Sequence, residues 1–350
     1  MMAGMPLRGP DGCLYAGFYE SEIVARVNPA TWHADWFRPL EGLPHSWLVA
    51  VTPGGKLLIN AGADVFSYDL ATGARSLVCS NRSVMALVGS LLFLSGEGGW
   101  VLYDAETLTP IERIALPEPP APEVVWASVA RFSRENRIFL LGTNPSQRTK
   151  EPGGTLIRFD PMSEEIRSFV NPVTGQAISS LAADERYVYC GTLYRTHRYG
   201  TGVSGYEGGG PAGGAVFFMW DPVAERIARR FVFPDLSEVA ALGYDLEWRM
   251  VLVPVRNEIR RFSTETMSWL DSIRLPVDPD GPGITCRRFA FFRLGGAWYV
   301  AHENRVFAIG PGREPEAVLE LPGRIIATAT ADGSTVYLAV AQHLYKVTLA

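Results

Sequence analysis

Short apolar runs alternate with polar turns along the whole chain. Runs of about four to eight residues, such as KLLINA (56–61) and YVYCGT (187–192), are rich in Val, Leu and Tyr and are bounded by glycine, proline or aspartate. Apolar alternation with a period of two between such turns is typical of β-strands. No segment has a sustained apolar stripe of period 3.6 between helix caps, so the sequence predicts an all-β protein.

One structural unit recurs along the chain. A very apolar strand is followed by a second strand that ends in Asp, Asn or Pro, then by a turn and a more charged strand, as in VFSYDLATGARSLV (65–78) and LIRFDPMSEEIRSFV (156–170). The unit occurs eight times, or seven if one terminal unit completes the other. Short antiparallel strands repeated about every 35–50 residues predict a β-propeller that forms a single domain over residues 1–350.

The aspartates of these turns have a structural interpretation. An Asp at the start of a tight turn can accept hydrogen bonds from the backbone two and three residues later. We therefore interpret them as turn caps rather than as a group of catalytic carboxylates: Asp69, Asp104, Asp160 and Asp221.

The strand–Gly-Thr–loop–strand–Asp-Pro pattern of YVYCGT…VFFMWDP and IFLLGT…LIRFDP resembles the β-propeller superfamily, particularly the YVTN-like and quinoprotein-like repeat proteins, over essentially the whole chain. The resemblance implies the architecture and leaves the chemistry open. Quinoprotein repeats usually carry a tryptophan after the Asp-x-x-Thr-Gly turn, and the matching stretch ARSLV (74–78) has none. This departure argues against a pyrroloquinoline quinone cofactor.

Two loops between second and third strands are enlarged, at 142–154 and 191–214, whereas most others have about two to five residues. They belong to neighbouring units, so we expect them to lie side by side and to form one sector of the central channel mouth, where propellers bind ligands. Loops of this length in compact domains are usually functional or disordered.

The second enlarged loop contains GTGVSG (200–205), which has the letters of a dinucleotide-binding turn. Such a turn must open a helix inside a parallel βαβ unit, because the helix N-terminus holds the pyrophosphate. Here YEGGGPAGG and another predicted antiparallel strand follow. The context argues against NAD. No cofactor is implied, and the scattered cysteines show no zinc spacing, so metal dependence stays open.

The segment YRTHRY (194–199) precedes these glycines and carries the candidate chemistry. Tyrosine and histidine can transfer a proton beside a carboxylate, and arginine can neutralise that carboxylate. The candidate catalytic residues are Tyr194, His197, Tyr199 and His302. The candidate substrate-binding residues, in this loop or at positions expected near the channel mouth, are Arg195, Arg198, His45, Arg82, Arg256 and Glu303.

Each of these candidates also has a structural interpretation. The loop can be a surface segment held by stacked Tyr and Arg side chains, and His302 can cap the end of the strand AWYVA. Arg82 and Arg256 can be ion-pair partners between neighbouring blades.

Two functions of different class follow from these features. The first is an enzyme that acts on a small anionic or carbohydrate-like substrate, most simply a lyase with Tyr/His acid–base chemistry. Several propeller-fold polysaccharide lyases are similar in placing Tyr, His and Arg at the channel mouth. The alternative is a non-catalytic propeller that binds a small ligand or a protein partner on the same face.

Charge and targeting signals exclude some partners. The formal net charge is −5, whereas nucleic-acid binding normally needs a basic surface. No run of about 18 apolar residues and no secretory leader occurs, so we expect neither a membrane span nor an intact signal peptide. The four cysteines are predicted to be mainly buried free thiols: Cys13, Cys79, Cys190 and Cys286. Free thiols agree with a cytoplasmic location, and the location would be secreted if a leader has been removed.

Overall fold

The computed structural model describes most of the chain, and the protein is all-β within the part described, as predicted. The described residues are 7–17, 22–39, 41–43, 46–96, 99–111, 127–131, 139–143, 154–160, 163–193, 214–236, 238–239, 241–276, 289–310, 312–332, 335–340 and 343–348. Among these described residues, no helix is long and apolar enough to cross a membrane.

The chain forms two compact units, and strands that are consecutive in sequence pair within each sheet. The first unit comprises residues 1–113, 292–311 and 316–350. Sheet 1 contains β1 (Leu7–Arg8), β2 (Leu14–Gly17), β3 (Val24–Val27) and β4 (Ala34–Phe37). Sheet 2 contains β5 (Ser46–Val51), β6 (Lys56–Ala61), β7 (Asp64–Asp69) and β8 (Arg75–Cys79). Sheet 3 contains β9 (Arg82–Val88), β10 (Leu91–Gly96) and β11 (Gly99–Asp104).

The second unit comprises residues 114–291 and 312–315. Sheet 4 contains β12 (Ala127–Arg131), β13 (Phe139–Thr143), β14 (Thr155–Asp160) and β15 (Glu165–Val170). Sheet 5 contains β16 (Ala177–Ala183), β17 (Val188–Leu193), β18 (Ala215–Asp221) and β19 (Arg226–Phe233). Sheet 6 contains β20 (Gly243–Asp245), β21 (Met250–Val255), β22 (Glu258–Ser263), β23 (Ser268–Trp269) and β24 (Ile273–Arg274).

Two further sheets follow in the sequence. Sheet 7 contains β25 (Phe289–Leu294), β26 (Ala297–His302), β27 (Arg305–Gly310) and β28 (Arg313–Glu320). Sheet 8, in the first unit, contains β29 (Ile325–Asp332), β30 (Thr335–Val340) and β31 (His343–Thr348). Six of the sheets have the four or five strands of a complete blade, whereas sheets 3 and 8 have three described strands. The count of eight blades, with seven as the alternative, therefore stays a prediction, as does the single domain over residues 1–350.

The aspartates between third and fourth strands cap their turns, as the sequence predicted. Asp69 Oδ1 accepts hydrogen bonds from the backbone N–H groups of Ala71 and Thr72, both at 2.9 Å. Asp104, Asp160 and Asp221 accept equivalent bonds within their own turns. Their carboxylates are therefore used locally to hold the chain reversal.

In three sheets, the residue that ends the turn after the third strand contacts the preceding sheet. This residue is Trp32 in sheet 1, Leu108 in sheet 3 and Glu225 in sheet 5. All three have a left-handed backbone, with φ values of 57°, 56° and 52°. Leu108 packs into the apolar cluster shared by sheets 2 and 3. The Glu225 carboxylate lies 3.2 Å from Arg158 and 2.7 Å from Arg167, both in sheet 4. We call this position the docking residue of the turn.

The docking residue of sheet 1 contacts sheet 8. The Trp32 ring stacks on Tyr337 with a centroid distance of 5.7 Å, and Lys346 Nζ donates a hydrogen bond to the Pro29 carbonyl at 2.8 Å. Apolar side chains of both sheets complete the contact. Sheet 1 uses β1 as its own inner strand. The described contact between the first and last sheets therefore depends on side-chain packing rather than on a shared strand.

The largest described aromatic cluster lies between sheets 5 and 6. Phe217 is fully buried, and its ring lies 5.5 Å from Phe262, 5.6 Å from Trp269 and 6.0 Å from Phe231. Such offset and edge-on contacts add to the stabilisation from burial alone. This cluster supports the two strands from which the second enlarged loop emerges.

Candidate functional site

Gln176 joins the ends of the two enlarged loops. It directly precedes β16 and is 5% exposed. Its backbone carbonyl accepts a hydrogen bond from Gly154 N at 2.8 Å, and its side-chain Nε2 donates to the Gly214 carbonyl at 2.9 Å. Gly154 ends the loop 142–154 and Gly214 ends the loop 191–214. The predicted proximity of the two loops is therefore confirmed at these ends.

The start of the second loop is held by the same side chain. Thr192 Oγ1 donates a hydrogen bond to Gln176 Oε1 and accepts one from Val216 N at 2.7 Å. Both polar atoms of the Gln176 amide are thus used, one on each end of the loop 191–214. Buried polar groups that are fully hydrogen-bonded make an environment rigid and specific.

The segment that leads from sheet 5 to sheet 6 also contacts the start of the loop 191–214. We call the hydrogen-bonded residues at the ends of this loop the base of the loop. Val239 N donates to the Thr192 carbonyl at 2.8 Å, and the Val239 carbonyl accepts from the hydroxyls of Ser179 and Ser180 at 2.9 and 2.6 Å. Glu238 forms an isolated β-bridge with Leu193 and is 5% exposed. A buried carboxylate therefore lies where the loop 191–214 begins.

Two glycines at this base are required for close packing rather than for flexibility. A Cβ on Gly191 would lie 2.2 Å from the Val239 carbonyl oxygen. A Cβ on Gly214 would lie 2.0 Å from the Phe233 carbonyl oxygen, and Gly214 has a φ of +68°. The backbone approaches itself so closely here that no side chain fits without movement.

Most of the predicted site residues lie outside the described residues. They are Tyr194, Arg195, His197, Arg198, Tyr199 and His45. Their proposed roles in proton transfer and in ligand binding therefore stay predictions.

The structure places His302 and Glu303 in a tight hairpin of sheet 7. His302 is 1% exposed at the end of β26, where it is opposite Arg305. Glu303 has a φ of 52°, and its carbonyl accepts a hydrogen bond from Ile325 N at 2.7 Å. Its catalytic role and its structural interpretation as the cap of a strand end both stay predictions.

The structure describes two of the four predicted arginines, Arg82 and Arg256. Arg82 begins β9, is half-buried, and donates its backbone N–H to the Ala63 carbonyl at 2.8 Å. Arg256 is exposed in the turn after β21, with a φ of 57°. Within the described part of the second unit, no hydrogen bond joins Arg256 to Gln176. Their roles in substrate binding stay predictions.

Metal and thiol chemistry find no support among the described side chains. No three His, Cys, Asp or Glu side chains of the described residues converge as a metal site. Cys13, Cys79 and Cys190 are free thiols, and burial raises the pKa of Cys190 well above its usual value. Since the thiolate is the reactive form, Cys190 behaves as a core residue.

Gln176 and Glu238 were not predicted from the sequence because neither belongs to a motif. Glutamine and glutamate are usually exposed, and only their burial beside the loop ends distinguishes these two. The available signal was positional: Gln176 directly precedes the inner strand between the two enlarged loops in the sequence.

We expect Gln176→Leu to lower the free energy of unfolding by about 1–3 kcal/mol, because the Gly214 carbonyl and the Thr192 hydroxyl lose a buried partner. Urea unfolding measures this loss, and amide hydrogen exchange at residues 215–217 should become faster. Val170→Ala, a half-exposed apolar change at the end of β15, is the control. A loss no larger than that of the control would contradict the anchoring role of Gln176.

Comparisons with known proteins identify the fold. No protein-family model matches the chain, and no curated protein sequence matches it. The chain is similar to the structure of the Dos1 propeller, with 13% identity, a TM-score of 0.66, and coverage of 99% of this chain and 91% of that one. It is also similar to a chain in the crystal structure of the mitotic checkpoint complex, with 12% identity, a TM-score of 0.53, and 86% coverage of each chain. The chain is therefore a β-propeller by fold.

Proposed function

We propose that this protein is a recognition propeller that binds an anionic, carbohydrate-like ligand on the face that carries the loops 142–154 and 191–214. The supporting observation is that Gln176 contacts the ends of both loops through buried hydrogen bonds. Loops that carry binding residues are typically positioned by a rigid scaffold. The hydrogen-bonded base around Gln176 provides such a scaffold for two neighbouring loops.

The charge of the two loops favours an anionic ligand. Residues 144–153 carry Arg148 and Lys150 against one acidic residue, and residues 194–213 carry Arg195 and Arg198 against one. Both loops are thus net positive in a chain whose formal net charge is −5. A local concentration of one charge attracts ligands of the opposite sign even when the whole protein has the other sign.

A lyase at the same face is the second candidate. It is favoured by the segment YRTHRY, which combines potential proton donors and acceptors with arginines that could hold a carboxylate. In this reaction Tyr194, His197 and Tyr199 would supply the acid and base, and Arg195 and Arg198 would bind the carboxylate. His302 remains a further candidate catalytic residue outside this loop.

The two candidates are separated by one set of assays on uronate-containing oligosaccharides. Isothermal titration calorimetry measures binding, and ultraviolet absorbance measures new unsaturation in the product. We expect saturable binding that becomes at least tenfold weaker in the double variant Arg195→Ala/Arg198→Ala. The matched control is Arg226→Ala/Arg230→Ala, which removes two exposed arginines of β19 outside the loops and should leave binding unchanged.

Each outcome has a defined consequence. Binding without product supports the recognition function. Product formation that is lost in His197→Ala/Tyr199→Phe supports the lyase and overturns the non-catalytic function. Absence of binding to every uronate, or equal weakening in the two arginine variants, overturns the proposed ligand class. Binding to an acidic peptide but to no uronate would instead assign the face to a protein partner.

A further inference from the structure

The connection between sheets 4 and 5 is held by its own hydrogen bonds. We call residues 171–176 the anchor turn. Asn171 has a φ of 53°, and its side-chain Oδ1 accepts a hydrogen bond from Gly175 N at 2.9 Å. Gln176 N donates to the Val173 carbonyl at 3.1 Å, and Val173 is 1% exposed in the apolar cluster between the two sheets. The anchor turn is therefore fixed both by local bonds and by the core.

The anchor turn contacts both enlarged loops. Gly154 uses both of its backbone groups there, since its N–H donates to the Gln176 carbonyl at 2.8 Å and its carbonyl accepts from Asn171 N at 2.8 Å. The Gln176 side chain contacts the two ends of the loop 191–214 through Thr192 and Gly214. One short segment thus holds the end of the first loop and both ends of the second.

The Gln176 amide satisfies these contacts in only one orientation. The Gly214 carbonyl can only accept a hydrogen bond, so Nε2 must face it, at 2.9 Å. Oε1 then accepts from the Thr192 hydroxyl, which itself accepts from Val216 N at 2.7 Å. Gln176 and Thr192 are 5% and 0% exposed. Release of one loop end would leave a buried polar group without its partner, so the contacts favour forming together and opening together.

We propose that Gln176 couples the two enlarged loops, so that the end of the loop 142–154 and the base of the loop 191–214 open as one cooperative unit. Local opening equilibria of this kind can connect two parts of a binding site without a large change in structure. The consequence rests on the proposed function. A ligand that orders one loop would favour the ordered ends of the other, so both loops would respond to a ligand that contacts only one.

Native-state hydrogen exchange of the unmodified full chain, in increasing sub-denaturing urea, tests the coupling without a ligand. It follows five amides whose hydrogen bonds lie in this network: Gly154, Asn171, Ala215, Val216 and Val239. We expect these amides to share one opening free energy and one urea dependence. The reference is β6, in the first unit, which should stay protected to higher urea. Separate opening of Gly154 and Val216, or opening of all five only together with β6, would overturn the coupling.

Variants test whether the coupling runs through the Gln176 side chain. Thr192→Val removes the hydroxyl and nearly keeps the shape, and we expect exchange at Gly154 and Asn171 to become about fivefold faster or more. Thr192→Ser retains the hydroxyl and should restore slow exchange. The matched control is Ser180→Ala, which removes another buried hydroxyl of the same base, one that bonds to the Val239 carbonyl at 2.6 Å. It should change exchange at Gly154 and Asn171 less than about twofold, because the contacts of Gln176 are kept.

The outcomes separate this inference from the proposed function. The coupling is overturned if Thr192→Val leaves exchange at Gly154 unchanged, or if Ser180→Ala accelerates it equally. If Thr192→Val does not fold, the urea series on the unmodified chain decides. A failure to bind uronates would overturn the proposed function alone, because neither exchange experiment contains a ligand.

Discussion

Replacing Gly214 with alanine is expected to lower the free energy of unfolding by about 2–5 kcal/mol. The φ of +68° would place an alanine in a left-handed conformation, which costs about 1–2 kcal/mol. The new Cβ would also lie 2.0 Å from the Phe233 carbonyl oxygen and 2.6 Å from Pro234 Cα, so the backbone must move, and overpacking of this kind costs about 1–3 kcal/mol. Urea unfolding followed by circular dichroism measures the sum.

Gly62→Ala is the matched control for the backbone term. Gly62 has a φ of +60°, but no heavy atom would lie within 4 Å of its added Cβ. Its expected loss is about 1–2 kcal/mol, from the left-handed conformation alone. Equal losses in the two variants would show that the approach of the chain to Gly214 is not crowded, and would contradict the close-packed base of the loop.

Replacing Phe217 with alanine should lower the free energy of unfolding by about 3–5 kcal/mol. The side chain is fully buried and contacts rings of both sheet 5 and sheet 6, so its removal loses apolar burial and leaves a cavity. Thermal and urea unfolding measure the loss. Because Phe217 belongs to the strand that follows the loop 191–214, we also expect faster hydrogen exchange along β18.

The control for Phe217 is a large apolar residue at the surface. Leu246 is 62% exposed, so Leu246→Ala should change the free energy of unfolding by less than about 0.5 kcal/mol. A loss for Phe217→Ala below about 1.5 kcal/mol would mean that the cluster between sheets 5 and 6 repacks or is loosely formed.

The fold was predictable from sequence because its determinants are local. Strand β6 has the bounds of the predicted run KLLINA, and the Asp69 turn forms from residues adjacent in the chain. Periodicity and turn chemistry report on such short-range structure. The number of complete blades was less predictable, because it depends on the pairing of weakly patterned outer strands.

The candidate site was less predictable because its contacts are long-range. Gln176 and Gly214 are 38 residues apart, and nothing in either sequence context indicates that they form a hydrogen bond. His302 shows a related problem, since a polar residue after an apolar strand fits both a site role and a strand end, and its burial at a hairpin could not be read from the sequence. Whether a polar side chain is buried depends on how the sheets pack. The local pattern of apolar and polar residues in the sequence does not predict it.

The docking residues have a consequence for how this chain could change by gain or loss of repeats. Each one is matched to its own predecessor: Glu225 faces the guanidinium groups of Arg158 and Arg167, whereas Trp32 faces the ring of Tyr337. Exchanging sheets 1 and 5 would place the Glu225 carboxylate against the Tyr337 ring. It would also leave Arg158 and Arg167 without the carboxylate that they share. The sheets are therefore similar in backbone, but their order cannot be exchanged. A duplicated or deleted sheet would need compensating changes in both of its new neighbours.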